Sequence, residues 1–308
     1  MTESGRAKSD YVLDWCRRVL GPFSVVGDHS RTHGGHDSST RRLQTSTCYC
    51  YLKVHQNPSC WSHEVHAYEH WVDAFGEAAP RLLAVRDAEP LALVISEVPG
   101  RPAESAGLEP SEERKVWRSA GEALASLHEW ETHACFGPCS RDGTCAQASA
   151  GNAVEYVSAR FGNEIERATR AGHVTEEELA TVEAAFDLIS AFQGENPVPC
   201  HRDYGPANWL VSATGAWAGV VDFEFAHWDV RVADFSRYPD WTWINRPDLV
   251  GALFEGYGRC PSAREEQQMM VARAEYALGA ILWGHDNSFH GFEREGHESL
   301  VHLASVLR

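Results

Sequence analysis

The sequence predicts an α+β fold built as two lobes, a small lobe of mixed β-sheet and helix followed by a larger, mainly helical one. Three observations carry that expectation. Strand-like apolar runs, Cys48 to Val54 and Leu91 to Val98, fall in the first third of the 308 residues. Helical periodicity dominates from position 112 onward. Between the long helical stretches sits a short hairpin pattern, Leu210-Val211 and Trp217 to Val221, joined by the turn residues Ser212-Ala213-Thr214-Gly215. A chain that is 43% apolar has ample material for a core at this length.

Taken in order, Tyr11-Val12-Leu13 with Cys16 and Leu20 begins a helix, and the residues before it read as a loose terminus. Ser30 to Thr40 is polar and carries Gly34 and Gly35, which suits a turn whose backbone amides approach an anion. The strand Cys48 to Val54 holds Lys53, one of only three lysines in the chain. A lysine in an apolar strand is costly unless its ammonium meets an anion or the strand is an edge with its head in water. Trp61 to Phe75 places Glu64, Tyr68, Trp71 and Phe75 at helical spacing. Leu91 to Val98 reads as a buried strand that Pro99-Gly100 breaks. Glu112 to Glu131, Thr175 to Phe192, Leu249 to Tyr257 and Arg264 to Trp283 supply the long helices, and no internal repeat is visible.

The most informative segment is Cys200-His201-Arg202-Asp203-Tyr204-Gly205-Pro206-Ala207-Asn208, followed across the hairpin by Asp222-Phe223-Glu224. Asp203 and Asn208 stand at the mouth of one strand and Asp222 at the end of the next, so three oxygen-bearing side chains meet at one edge. Such donors suit hard Mg2+, which bridges and neutralises nucleotide phosphates.

These residues resemble the catalytic and metal loops shared by protein kinases and by the aminoglycoside phosphotransferase and choline kinase-like small-molecule kinases. The resemblance implies a protein kinase-like fold, with a nucleotide-binding lobe at residues 1–98, a hinge at 99–102 and a helical lobe at 103–308. It implies that Asp203 orients and deprotonates an acceptor hydroxyl while Asn208 and Asp222 hold Mg2+. By the same resemblance Lys53 meets the phosphates of ATP or GTP with Glu64 as its partner, Gly34 and Gly35 cover those phosphates, and Ser96, Glu97 and Val98 receive the base. His201 packs beneath its loop, and Asp234 pins backbone. Glu224 replaces the glycine usual in protein kinases, and no Ala-Pro-Glu segment follows, which argues against a regulatory protein kinase.

Twenty-seven basic against 44 acidic residues give a net charge of -17, which disfavours nucleic acid and anionic membranes as partners and is compatible with a cationic acceptor. Candidate acceptor-side residues are Glu224, Trp228 and Asp229, then Trp241 and Trp243, then Glu275, Trp283 and Asp286, where aromatics beside carboxylates could stack on rings and bind amines. The resemblance implies a hydroxyl-bearing small molecule, with an aminoglycoside or other antibiotic as first expectation. A nucleoside antibiotic, choline, homoserine or a sugar are alternatives, and a catalytically silent nucleotide-binding protein is the reading from another class.

No apolar signal region opens the chain and no continuous apolar span reaches membrane length, so a cytoplasmic protein is expected. The nine cysteines do not form a small secreted scaffold. Cys135, Cys139 and Cys145, with His128 and His133 upstream, are either ordinary thiols or zinc ligands.

Overall fold

The computed structural model describes residues 3–29, 38–145, 151–235 and 246–307. Five strands, β1 (Ser24–Asp28), β2 (Ser38–Gln44), β3 (Tyr49–His55), β4 (Leu82–Arg86) and β5 (Ala92–Ser96), form an antiparallel sheet in the order β1-β2-β3-β5-β4. Period-two alternation sorts their side chains between two faces. Cys50, Leu52, Ala92 and Val94 pack with Val12, Trp15 and Cys16 of helix α1 (Glu3–Leu20) in a satellite core. Leu93 and Ile95 point the other way, into the main core. Lys53, one residue out of phase with Leu52, is thereby committed to the face opposite α1. The helix begins at Glu3 rather than at Tyr11, so residues 3–10, expected as a loose terminus, are helical.

Helix α2 (Pro58–His70) fills that opposite face. The Asn57 side chain accepts the Ser59 N–H at 2.9 Å and Pro58 takes the first turn, so the helix starts three residues before the expected Trp61. It stops at Trp71, and a 3-10 segment, Val72–Ala78, continues with Gly76 at φ 59°. The helix expected as far as Phe75 is therefore two pieces.

The larger lobe is built from α3 (Pro110–His128), α4 (Ala153–Ala171), α5 (Glu176–Phe186), the single turn α6 (Val232–Phe235), α7 (Pro247–Tyr257), α8 (Ala263–Asp286) and α9 (His290–Val306). Reciprocal capping boxes open α3 at Glu109/Glu112, α5 at Thr175/Glu178 and α8 at Ser262/Glu265. The helix expected over Thr175 to Phe192 ends at Phe186, with a 3-10 turn Ile189–Phe192 after it. Two helix pairs are interlocked at backbone distance. A Cβ on Gly121 of α3 would fall on the Leu253 carbonyl of α7, and one on Gly256 of α7 on the Arg118 carbonyl. Gly284 and Gly296 likewise let α8 and α9 touch.

Two small sheets sit between the lobes. Strands β6 (Arg101–Pro102), β8 (Trp209–Val211) and β9 (Trp217–Val220) form one, and β7 (Val198–Cys200) pairs with β10 (His227–Asp229) in the other. The expected hairpin is β8–β9, with Trp209 opposite Val220. Among the described residues no helix is long and apolar enough to cross a membrane.

The cysteine loop departs from both states expected of it. Cys135 and Cys145 are joined in a disulfide, Cys139 is separately buried, and His128 turns away toward Asp234 and Tyr257.

Candidate active site

Strand β7 delivers the chain into the 201–208 loop, and Asp234 holds that loop by its backbone. The buried Asp234 carboxylate accepts the His201 N–H at 3.0 Å and the Arg202 N–H at 2.5 Å, while His128 Nε2 lies 2.9 Å from it. Arg202 sits at φ 63°, a left-handed conformation that turns the chain so that both amides face one carboxylate. His201 is fully buried. Its Nδ1 accepts the Asp203 N–H at 3.2 Å, so the ring proton is on Nε2, which donates to the Val221 carbonyl at 3.1 Å. This histidine braces the loop against the strand beside it.

Asn208 Nδ2 donates to both the carbonyl and the Oδ2 of Asp203, each at 2.9 Å. That pair fixes the Asp203 side chain and commits the amide nitrogen of Asn208 to it. The Asn208 amide oxygen is thus the atom left to serve as a donor to a metal. Asn208 precedes β8 and Asp222 follows β9, and the Val221 N–H bonds the Asn208 carbonyl at 3.0 Å, so the hairpin register sets the two side by side. Both offer the hard oxygens that suit Mg2+.

Asp222, at φ 72°, turns its carboxylate toward the small lobe, where Lys53 collects three acids. Lys53 Nζ lies 2.7 Å from Asp222 Oδ1, 2.8 Å from Glu64 Oε1 and 3.4 Å from Glu224 Oε2. Burial opposes the ammonium charge, but Asp222, Glu64 and Glu224 outweigh it and hold the Lys53 pKa well above its ordinary value. For Glu64, burial likewise works against ionisation, and the Lys53 charge overcomes it and lowers the pKa. His55 Nε2 lies 2.9 Å from the other Glu64 oxygen, without hydrogen-bond alignment. Burial first and Asp222 second raise the Glu224 pKa, and Ser38 Oγ donates to this carboxylate at 2.9 Å.

At the end of β5, Ser96 Oγ accepts the Arg81 N–H at 2.8 Å. The Glu97 carboxylate is held by Arg42 of β2 at 2.9 and 3.1 Å, and the Glu97 N–H bonds the Tyr49 carbonyl at 3.3 Å. Val98 follows in irregular backbone that leads to β6. Gly34 and Gly35 lie outside the described residues, as do Trp241 and Trp243.

Asp203 and Asn208 open on the other side into a cavity of about 450 Å³. Glu113 and Trp117 of α3, Tyr276 of α8, Phe292 and Glu295 of α9, and Glu104 line it. Arg246 also reaches the cavity and pairs with Glu113 at 3.0 Å and with Asp248 at 3.0 Å. Sequence reading passed over all of these. The one available signal was spacing, since Glu113/Trp117 and Phe292/Glu295 stand one helical turn apart on one face.

The described acceptor candidates lie elsewhere. Glu224 belongs to the Lys53 cluster. Trp228 is buried, stacked on His133 and edge-on to Trp71. Asp229 is buried against Arg160 at 2.6 Å and Arg202 at 3.0 Å, and Glu275 pairs with the same Arg160 at 2.5 Å. Trp283 packs edge-on to Phe292 from outside the cavity, and Asp286 is exposed at the end of α8.

The solved structures that this fold resembles include aminoglycoside phosphotransferase APH(4)-Ia, with a TM-score of 0.74 at 14% identity over 96% of this chain and 98% of that one. A macrolide 2'-phosphotransferase of type I superposes with a TM-score of 0.65 at 14% identity, covering 95% of this chain and 97% of that one. The gentamicin complex of APH(2")-IIa gives 0.63 at 14% identity, covering 94% and 95%. At such identities the likeness is one of fold. Among curated proteins no sequence matches. A family model does match, over residues 31–269, and the chain belongs to the phosphotransferase enzyme family that it describes, with a two-lobed protein kinase-like fold.

Proposed function

We propose that the protein transfers the γ-phosphoryl group of ATP or GTP to a hydroxyl of a small molecule held in the cavity beside Asp203, with an aminoglycoside or another amine-bearing antibiotic as the acceptor class. The observation that supports it most is the position of the 201–208 loop, whose Asp203 faces the cavity while its Asn208 adjoins Asp222 and the Lys53 cluster. Nucleotide and acceptor would meet across this one loop, as in-line transfer requires.

The donor set supports Mg2+ held by Asn208 and Asp222. Lys53 carries one positive charge among three carboxylates, so the cluster has an excess of negative charge that a divalent cation would balance. Mg2+, when bound with the nucleotide, supplies charge neutralisation on the phosphates. Lys53 orients those phosphates, Glu64 holds Lys53 in place, and Asp203 aligns the acceptor hydroxyl and takes its proton at Oδ. The lobe boundary near residues 99–102 is proposed on the same footing.

With Glu113 already paired to Arg246, the carboxylates of Glu104 and Glu295 around the cavity favour an acceptor with amines, and Trp117, Tyr276 and Phe292 provide ring faces. The aromatic side supports a second acceptor class, a nucleoside antibiotic. Product mass spectrometry with Mg2+, either nucleotide, and pooled aminoglycosides, macrolides and nucleoside antibiotics tests both. A gain of one phosphoryl mass on an amine-bearing acceptor is expected. Nucleotide binding without any phosphorylated product would overturn the reading.

A further inference from the structure

The segment Trp130–Cys145 leaves the helical lobe and lies along the C-terminal half of α2, the helix that carries Glu64. Trp130 Nε1 donates to the His70 carbonyl at 2.8 Å, and Trp71 Nε1 donates to Glu131 at 2.7 Å. At the tip, the Arg141 guanidinium grips the Glu69 carboxylate at 2.5 to 3.2 Å, and His66 Nδ1 donates to the Arg141 carbonyl at 2.9 Å. Gly143, at φ 82°, lies so close to His66 that a Cβ there would stand 2.8 Å from the ring. The base of the segment is anchored to the helical lobe, where the Gly137 N–H bonds the Trp228 carbonyl at 2.7 Å and His133 stacks on Trp228. The Cys135–Cys145 disulfide ties the anchored base to the gripping tip.

We infer that Cys135–Cys145 is a thiol–disulfide exchange site that holds or releases α2, and through Glu64 sets how well Lys53 is placed for nucleotide. Both cysteines are half-buried, open enough for a reductant. A dithiol, small or protein-borne, attacks one sulfur as thiolate and resolves the mixed disulfide with its second thiol. The protein gains two electrons and two protons as two cysteine thiols, and the reductant leaves as its own disulfide. His133 Nδ1 lies 3.1 Å from Cys135 Sγ and accepts the Cys135 N–H at 3.3 Å. It is the ring nitrogen nearest the sulfur, placed to share the thiol proton once the bond opens. In the reduced state the tip keeps the Cys139–Cys145 backbone β-bridge of its own turn, its packing on His66 and its polar contacts to α2, of which the Arg141–Glu69 pair is partly exposed and weak by itself.

The consequence for turnover rests on the proposed phosphotransferase activity; the release of α2 does not. The test follows α2 by hydrogen exchange and, separately, nucleotide KM and kcat, with and without dithiothreitol, while alkylation and mass spectrometry report both cysteines. Reduction should speed exchange of α2 amides by about 5-fold or more and raise nucleotide KM over a similar range, with little change in kcat. The Cys135→Ser/Cys145→Ser double variant should show the fast exchange without reductant and no response to it, and Arg141→Ala should show part of the effect. Reduction proved by alkylation with α2 exchange unchanged would overturn the inference, as would alkylation of both cysteines in air-exposed protein before any reductant. A redox-dependent α2 in a protein that phosphorylates nothing would leave this inference standing and sink the proposed function instead.

Discussion

The buried carboxylate of Asp229 meets the guanidinium of Arg160 at 2.6 Å, and the same oxygen lies 3.0 Å from Arg202, the residue next to Asp203. A chain of charge, fully buried at Asp229 and half-buried elsewhere, thus runs from Glu275 on α8 through Arg160 on α4 and Asp229 on β10 to the 201–208 loop. Burial disfavours the Asp229 charge, but Arg160 and then Arg202 hold its pKa far below the ordinary range. Asp229→Asn leaves those arginines short of a counter-charge. We expect it to cost about 3 kcal/mol in urea unfolding and to lower kcat more than it changes nucleotide KM. Stability within about 1 kcal/mol of the parent would show that the network is dispensable.

Asp203→Ala separates chemistry from binding. Loss of a general base lowers kcat by roughly 100-fold or more, while the nucleotide Kd, set on the other side of the loop, stays within about 3-fold. Isothermal titration beside steady-state kinetics checks both halves, and near-normal kcat would remove Asp203 from its role.

Glu64→Gln removes one of the three carboxylates that oppose burial at Lys53. The expected result is a rise in nucleotide KM on the order of 10-fold, with the acceptor KM little affected. A change confined to the acceptor KM would contradict the division of labour between cluster and cavity.

Two buried imidazoles predict acid sensitivity. Burial lowers the His63 pKa to about 4, and burial with Arg202 nearby lowers that of His227 to about 3. The unfolded chain therefore binds their protons first. Stability is at its full value above the ordinary pKa of 6.5 and declines as pH falls toward 4 and 3, by on the order of 3 kcal/mol for His63 and about 5 kcal/mol for His227 over the whole range. Urea melts at pH 7.5, 6 and 5 should show the decline, and His63→Gln should flatten it. An unchanged slope in that variant would assign the acid loss to other groups.

The loop and hairpin were readable in the sequence because local rules write them directly. Asp203, Asn208 and Asp222 stand at fixed offsets from two short strands, and Lys53 is conspicuous as a charge inside an apolar run. The cavity wall was not readable, since Glu113, Tyr276 and Glu295 come from helices far apart in sequence and each resembles an ordinary helix-face residue. Glu275 shows the opposite failure. It stands next to a cavity residue, yet one step along a helix turns it through roughly 100° and into the pair with Arg160. The disulfide was missed because spacing alone does not distinguish a thiol pair from a metal site.

The four glycines that let α3 meet α7 and α8 meet α9 bear on how the cavity between them can change. Each pair is locked as a unit, so the cavity lies between two rigid blocks that admit no sliding within either. If this cavity holds the acceptor as proposed, new acceptors are reached by exchanging the side chains at 113, 117, 276, 292 and 295, which project from those blocks, and not by remodelling the helices. On the proposed activity, acceptor choice can change while Gly121, Gly256, Gly284 and Gly296 stay untouched.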